Sequence, residues 1–378
     1  MHQKGSSRKT VLAILKQMHA LDNRYEDGRI LCSMCTKPHP IAKSAFEMFF
    51  DSNLGDQGLF PAAAQLEREV IAQLALLLNG KTATGFIVSG GTEANLMALL
   101  TAKTMANVDS PEVVLPESAH FSYTKTCNLL NLKPVYAPLD ESFRVVPAEV
   151  EKLINRNTVA IVGTAGTSEL GAVDPIEGLS KIALRHNVHL HVDAAFGGLV
   201  IPFLTSAKYP FDFELEGVKS ITVDPHKMGM AAIPAGGILF RSKKLLDSLK
   251  TETPYLTDKL QYTFVGTRTG ASAASTWAVF KALGREGYQK VVDECVKNTS
   301  FVAKNLQKAG FTLVCNPTLN IIGFRSQNTK YLAEKLREHG WFITYIPRYD
   351  CIRIVIMPHV KPKHTIAFLR DLETISKG

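Results

Sequence analysis

The chain lacks any uncharged apolar run of the roughly 18 residues that a membrane-crossing helix requires. Cysteine is sparse, with six in 378 residues (Cys32, Cys35, Cys127, Cys295, Cys315 and Cys351), so the chain is no disulfide scaffold and its thiols read as reduced. Cys32 and Cys35 form a CxxC, but no second Cys or His pair stands at zinc-ligand spacing. The TKPHP that follows also lacks the strand-to-helix setting of a redox motif, so no metal is expected. The net charge is +8, yet lysine and arginine form no block and are interleaved with acids, which argues against nucleic-acid binding. A solvated basic surface that concentrates anionic substrate or phosphate is the simpler reading. Tandem repeats and low-complexity linkers are missing. The N-terminal MHQKGSSRKTVLAILKQMHA reads as a basic amphipathic helix without a small-residue cleavage site. These absences predict a cytoplasmic globular chain with neither membrane nor nucleic acid as a partner.

What is present is enough apolar material, 46% of residues, to bury a large core over a length that suggests more than one domain. The middle of the chain alternates helical stretches with short β-branched runs: GFIVSG (85–90), VVL (113–115), VAIVGT (159–164), VHLHVD (188–193), SITVD (220–224) and GILF (237–240). That alternation predicts an α/β fold with a mostly parallel sheet wrapped by helices, whose ligand lies beyond the carboxyl ends of the strands. Residues 1–50 carry a helix and an extended, proline-bearing SMCTKPHP. From about 271 a long helical region precedes the strands FTLVCN, NIIGF and IRIVIM and a final helix near Thr365–Ser376. The expected division is 1–50 as an N-terminal segment, 51–270 as a large ligand-binding domain and 271–378 as a small α+β domain.

Two motifs following predicted strands carry the chemistry, HVDAAFGG (191–198) and DPHKMG (224–229). A carboxylate and a lysine so placed suit pyridoxal phosphate: Lys227 forms a Schiff base, and Asp193 keeps the pyridine nitrogen protonated so that the ring accepts electrons. For Lys227 to react as an amine, buried or cationic surroundings must disfavour its charge, unless the imine is already formed. Ala194, Ala195, Gly197 and Gly198 leave room for a flat ring, with Ala195 against one face; the plain alternative is that Asp193 caps a helix. His120, in PESAHFSYTKT, is a candidate to stack on the other face and exchange a proton near the reacting carbon. In SGGTEAN, the glycines and Thr92 open a helix whose unpaired N–H groups suit a phosphate, although a simple capped turn explains them too. GTAGTSELGAVDP offers Thr167 and Ser168 for a ring hydroxyl or substrate, and FVGTRTG offers Thr267 and Arg268 for a phosphate; either segment reads equally as a turn.

With these motifs in place, ILCSMCTKPHPIA, NLGDQGLF, FIVSGGTEANLMAL, ESAHFSYTK, VGTAGTSELGAVDPI, LHVDAAFGGLVIPF, SITVDPHKMGMAAIPAGGILF, ETPYLTDKLQYTFVGTRTGASAA and IRIVIMPHV make the chain resemble, almost end to end, the group II pyridoxal-phosphate-dependent amino-acid decarboxylases. The likeness is greatest to the archaeal branch that acts on L-tyrosine and L-aspartate. It implies the fold type I architecture of aspartate aminotransferase: a mostly parallel seven-stranded sheet with helices on both faces, a smaller C-terminal domain, and a homodimer with shared active sites. Carried over, it makes Lys227 the Schiff-base lysine, His226 its neighbour near the phosphate, Asp193 the pyridinium partner, His120 the stacking ring, and Gly91 and Thr92 phosphate ligands. Gly266 and Thr267 reach the phosphate of the neighbouring subunit, and Tyr255, on a mobile loop, protonates the substrate carbon.

The implied reaction is loss of the α-carboxylate, converting L-tyrosine to tyramine for methanofuran, L-aspartate to β-alanine for coenzyme A, or both. Aspartate asks for a cation, with Arg353 the leading candidate, and tyrosine for an aromatic slot with a polar end, to which SMCTKPHP and His39 contribute. Rival readings are a carbon–carbon lyase resembling sphingosine-phosphate lyase, an aminotransferase or a cysteine desulfurase. A non-catalytic basic binding protein is the rival from another class.

Overall fold

In the computed structural model, which describes residues 3–205 and 208–377, the β-branched runs become strands β1 (Thr84–Val88), β2 (Glu112–Pro116), β3 (Lys133–Ala137), β4 (Thr158–Thr164), β5 (His189–Asp193), β6 (Val218–Val223) and β7 (Gly236–Phe240). They form one seven-stranded sheet in the order β1-β7-β6-β5-β4-β2-β3. Only β7 runs against its neighbours, so β1 to β6 all point their carboxyl ends to one edge. β4 and β5 are buried along their whole length, as strands covered by helices on both faces must be. β3 was not apparent from periodicity: its sequence KPVYA contains Pro134, which an edge strand accommodates and a central one does not.

A second, antiparallel sheet orders Thr312–Leu313, Ile321–Arg325, Cys351–Val355 and Thr344–Ile346. Its core gathers Ile322, Phe324, Ile352, Ile354, Trp341 and Phe368, together with Leu31 from the N-terminal segment. Backbone bonds fix Leu31 there: its N–H donates to Phe342 O at 2.8 Å, and its carbonyl accepts from Val355 N at 2.7 Å. The helix Gly270–Lys308 contributes Ala273, Val279 and Tyr288 to the core of the large sheet and Val302, Ala303 and Leu306 to that of the small one. It breaks at Gly284, whose φ of 55° and ψ of −171° lie outside helical space and favour a residue without Cβ.

The helix Arg8–His19, capped by Ser7 Oγ accepting from Thr10 N, has no buried residue. Val11, Leu12, Ile14, Leu15 and Met18 lie open to solvent along it. Among the described residues, no helix is long and apolar enough to cross a membrane.

Candidate active site

A cavity of about 380 Å³ opens where five strands end together. The turn after β1 contributes Gly90, Gly91 and Thr92; that after β2, Ser118 and His120; that after β4, Gly166 and Ser168 beside the last strand residue, Thr164. Asp193 and Ala195 come from the end of β5, and Asp224, His226 and Lys227 from the end of β6. The convergence follows from topology, because parallel strands deliver their following loops to one edge.

Asp193 is 6% exposed and held from several sides. Its Oδ1 accepts from Ala195 N at 3.1 Å, and its Oδ2 from Asn95 Nδ2 at 3.0 Å and Tyr123 OH at 3.4 Å. Lys227 Nζ lies 3.0 Å from Asp224 Oδ2. Burial works to discharge this lysine, but the carboxylates of Asp224 and Asp193 outweigh it, and its pKa is raised. The expected depression is therefore absent before any ligand binds, and Asp224, the first residue of DPHKMG, is the main reason.

His226 and His120 are both driven toward neutrality, chiefly by burial, with nearby carboxylates opposing. His226 Nδ1 accepts from Ala235 N at 3.1 Å and His120 Nδ1 from Ser122 N at 3.2 Å, so each neutral ring carries its proton on Nε2. The helix Gly91–Ala106 starts at Gly90 with no side-chain cap, which removes the capped-turn reading of Thr92. Its first-turn N–H groups have no intrahelical acceptor and face the cavity edge. Glu93 instead accepts from Ser89 N at 2.8 Å and Val265 N at 3.2 Å, pinning the loop without obstructing the helix end.

These residues fit pyridoxal phosphate. A Cβ at Gly91 would come within 3.0 Å of Asp224 Oδ2 and one at Gly90 within 3.3 Å of His226 Cε1, so the glycines keep open a cradle that side chains would narrow. Three buried oxygens lining the cavity, Asp224 Oδ1, Ser118 Oγ and Thr164 Oγ1, have no hydrogen-bond partner among the described residues. Buried polar atoms are rarely left unpaired, and a polar ligand satisfies them.

Other candidates lie elsewhere. Thr167 does not line the cavity; its Oγ1 accepts from Ala172 N at 3.0 Å and closes its own loop, while the adjacent Ser168 faces inward. Arg268 lies outside the cavity lining, and the two terminal nitrogens of its buried guanidinium pair with Glu67 and with the carbonyls of Ile87 and Leu54. His39 caps the helix Pro40–Met48, accepting from Ile41 N at 3.3 Å, and lines a separate cavity of about 1030 Å³ beside Lys37 and His359. From SMCTKPHP it is Cys35 that senses Lys227 and Asp224, with burial the larger influence and its thiol pKa raised. Arg353 is buried, donates to Cys32 O at 2.8 Å and has its pKa lowered to about 10 by burial, but it lies outside the cavity lining. Tyr255, 84% exposed, sits between the short strands Thr251–Glu252 and Leu260–Gln261, and Gly266 and Thr267 are also exposed. Asn95 was missed altogether, its side chain hidden in the apolar-looking helix TEANLMALL.

A pyridoxal-dependent decarboxylase conserved domain matches residues 51–327. The chain is similar to the probable L-tyrosine/L-aspartate decarboxylase of Methanothermobacter thermautotrophicus, 51% identical over 356 residues covering 93% of this chain and 98% of that protein. It is 47% identical to the L-aspartate decarboxylase of Thermococcus kodakarensis over 381 residues, 99% of each. Among solved structures, the sphingosine-1-phosphate lyase of Burkholderia pseudomallei has a TM-score of 0.93 at 26% identity, covering 100% of this chain and 92% of that one. The glutamate decarboxylase of Lactobacillus brevis has a TM-score of 0.90 at 22% identity, covering 100% and 94%, a likeness of fold alone. The fold thus serves lyases and decarboxylases alike, and the expected fold type I architecture is present. Identity near one half over whole chains separates the two, and this chain belongs to the pyridoxal-dependent decarboxylase family, an amino-acid carboxy-lyase that uses pyridoxal phosphate.

Proposed function

We propose that the chain decarboxylates L-tyrosine, L-aspartate or both, releasing tyramine or β-alanine, as a homodimer with active sites completed across the interface. One observation carries the reading: a single cavity at the strand ends collects Lys227, Asp193, His120 and an uncapped helix N-terminus. The relatives' printed substrates support the choice of amino acids.

Pyridoxal phosphate, when bound, supplies an aldehyde that joins amines and a ring that takes up the electron pair left as CO2 departs. The chain's own groups do the rest. Lys227 would hold the ligand by its Nζ, which lies 3.0 Å from the Asp224 carboxylate. Asp193 would hold a proton at the ring nitrogen, and the N–H groups of Gly91 and Thr92 would hold the phosphate at the helix end. Ala195 and His120, which both line the cavity, would lie against the ring, and the neutral His120 carries its proton on Nε2.

Tyr255, Gly266 and Thr267 are exposed on a chain whose own cavity they do not line, which suits contributions to the site of a second copy. The bare apolar stripe on Arg8–His19 suits burial against that copy. Arg353 is proposed to select the aspartate side chain, since its buried Nε has no partner among the described residues.

The test is product analysis on tyrosine, aspartate, glutamate and DOPA. Stoichiometric CO2 and amine support the reading, and Lys227→Ala should abolish both while the chain stays folded. A keto acid would mean an aminotransferase; an aldehyde from a phosphorylated amino alcohol would mean a carbon–carbon lyase, the activity of the Burkholderia neighbour.

A further inference from the structure

Strands buried on both faces normally carry apolar side chains throughout, and β5 and β6 do not. Period-two alternation sets His189, His191 and Asp193 on one face of β5, and Ser220 and Thr222 on the same face of β6. His191 is registered against Ser220 and Asp193 against Thr222. His191, Ser220 and Thr222 are fully buried, as is Asn95 on the helix packed over them. A polar seam in a dry interior is tolerated only when its groups are paired.

Here the pairs run in one direction, which follows by elimination. Asn95 Nδ2 donates to Asp193 Oδ2 at 3.0 Å, and the second Nδ2 hydrogen reaches Ser122 Oγ at 3.1 Å. Asn95 Oδ1 therefore accepts, from Thr222 Oγ1 at 2.8 Å and His191 Nε2 at 3.1 Å. With its proton on Nε2, His191 has a bare Nδ1, to which Ser220 Oγ donates at 2.8 Å. Ser220 has then used its single proton, so its oxygen accepts from His189 Nε2 at 2.8 Å. Burial keeps both imidazoles neutral, the condition this tautomer chain needs.

We propose that Asn95 and His191 are positioning residues: by aiming a chain of donors at Asp193 they hold its carboxylate turned toward the ring nitrogen of the bound cofactor. The inference rests on the assignment of Asp193 to that nitrogen made above. A carboxylate so held meets the ring nitrogen in line and retains its proton by a charge-assisted hydrogen bond. Thr222 and Ser220 act on His191 and Asn95 and touch no ligand.

The test loads the protein with pyridoxal phosphate carrying 15N in the ring and measures the ring-nitrogen NMR shift and the cofactor Kd, with thermal melting to confirm folding. Asp193→Asn should move the nitrogen to its unprotonated position. Asn95→Leu should displace it in the same direction and weaken cofactor binding by about tenfold, the scale of one hydrogen bond to a charged group, and His191→Leu should do the same by about fivefold, since its bond to Asn95 joins neutral groups. His191→Gln, whose amide can still donate to Asn95 Oδ1, should stay near the wild type. Should Asn95→Leu fail to fold, Asn95→Ser breaks the same link with less intrusion. Wild-type shift and affinity in folded Asn95 and His191 variants would overturn the proposal and leave Asp193 in place. No response from Asp193→Asn would overturn the assignment of Asp193 itself.

Discussion

Lys227 and Asp224, three residues apart in the turn after β6, are joined by a 3.0 Å ion pair that holds the lysine in its charged form. Asp224→Asn should lower the Lys227 pKa, because the chief opponent of burial is gone. At fixed neutral pH more of the amine is then unprotonated, and the apo chain should take up pyridoxal phosphate faster by stopped-flow absorbance. Slower uptake would show that Asp224 is needed as the proton acceptor. The sign for stability follows too: a lysine pKa raised by folding stabilises the apo chain at lower pH, and that increment is lost above the ordinary value of 10.5.

The buried imidazoles give the acid limb. Burial lowers His191 to about 4 and His189 to about 3 from an ordinary 6.5, so the unfolded chain takes up protons first as pH falls. Stability is full above 6.5 and declines from there toward 4 and 3, each histidine contributing up to about 1.4 kcal/mol per pH unit. Asp174 opposes with one proton, since burial raises it to about 6 against an ordinary 3.8. Two groups outweigh one, and His189→Phe should flatten the slope in urea titrations between pH 6.5 and 4. An unchanged slope would contradict this account.

Arg268 and Glu67 tie the loop before the long helix to the helix Pro61–Leu77, and Glu67 Oε1 also accepts from Ile87 N at 3.0 Å. Glu67→Ala strands a buried guanidinium and should cost about 3–5 kcal/mol in denaturant unfolding. A loss below about 1 kcal/mol would place this pair with the exposed ones.

Replacing Arg353 by Met removes a buried cation but keeps most of the side-chain volume. Aspartate turnover should fall at least about tenfold, as loss of a charge-assisted bond predicts, while tyrosine turnover is spared. Equal loss for both substrates would make Arg353 a structural support for Cys32 and the segment it leads.

Subunit sharing can be checked by mixing. Chains carrying Tyr255→Phe and chains carrying Lys227→Ala, refolded together in equal amounts, should regain about a quarter of wild-type sites if Tyr255 serves its partner, because half the dimers are mixed and each has one intact site. No recovery would confine Tyr255 to its own chain. Leu12→Glu with Leu15→Glu should convert the dimer to monomer in sedimentation if the N-terminal helix is buried between copies.

Six of the seven large-sheet strands were legible because β-branched runs ended at turn signals; β3 was hidden by Pro134, and Thr344–Ile346 is too short for periodicity. Asp193, His120 and Lys227 could be placed because each ends or follows a strand, and strand direction alone gathers such residues. Asn95 escaped because helix residues meet a site by rotation about an axis, which the sequence shows less plainly. A signal was available nonetheless: H-x-H-x-D in β5 beside S-x-T-x-D at β6 marks a polar face where a buried strand should have none. Thr167 and His39 misled because Thr and His also serve loops and caps. Tyr255, Gly266 and Thr267 lie beyond one chain's geometry, since the group they are proposed to touch belongs to another copy.

Gly284 leaves the long helix as two rods joined at a pivot, one end embedded under each sheet. Tyr288, Val292 and Cys295, beyond the break, still pack in the core of the large sheet, so the second rod is anchored in both cores. Leu31, stitched to the small sheet, ties the segment that carries Cys35 to it, so the surroundings of Lys227 are built in part by a strand-like stretch anchored outside the large sheet.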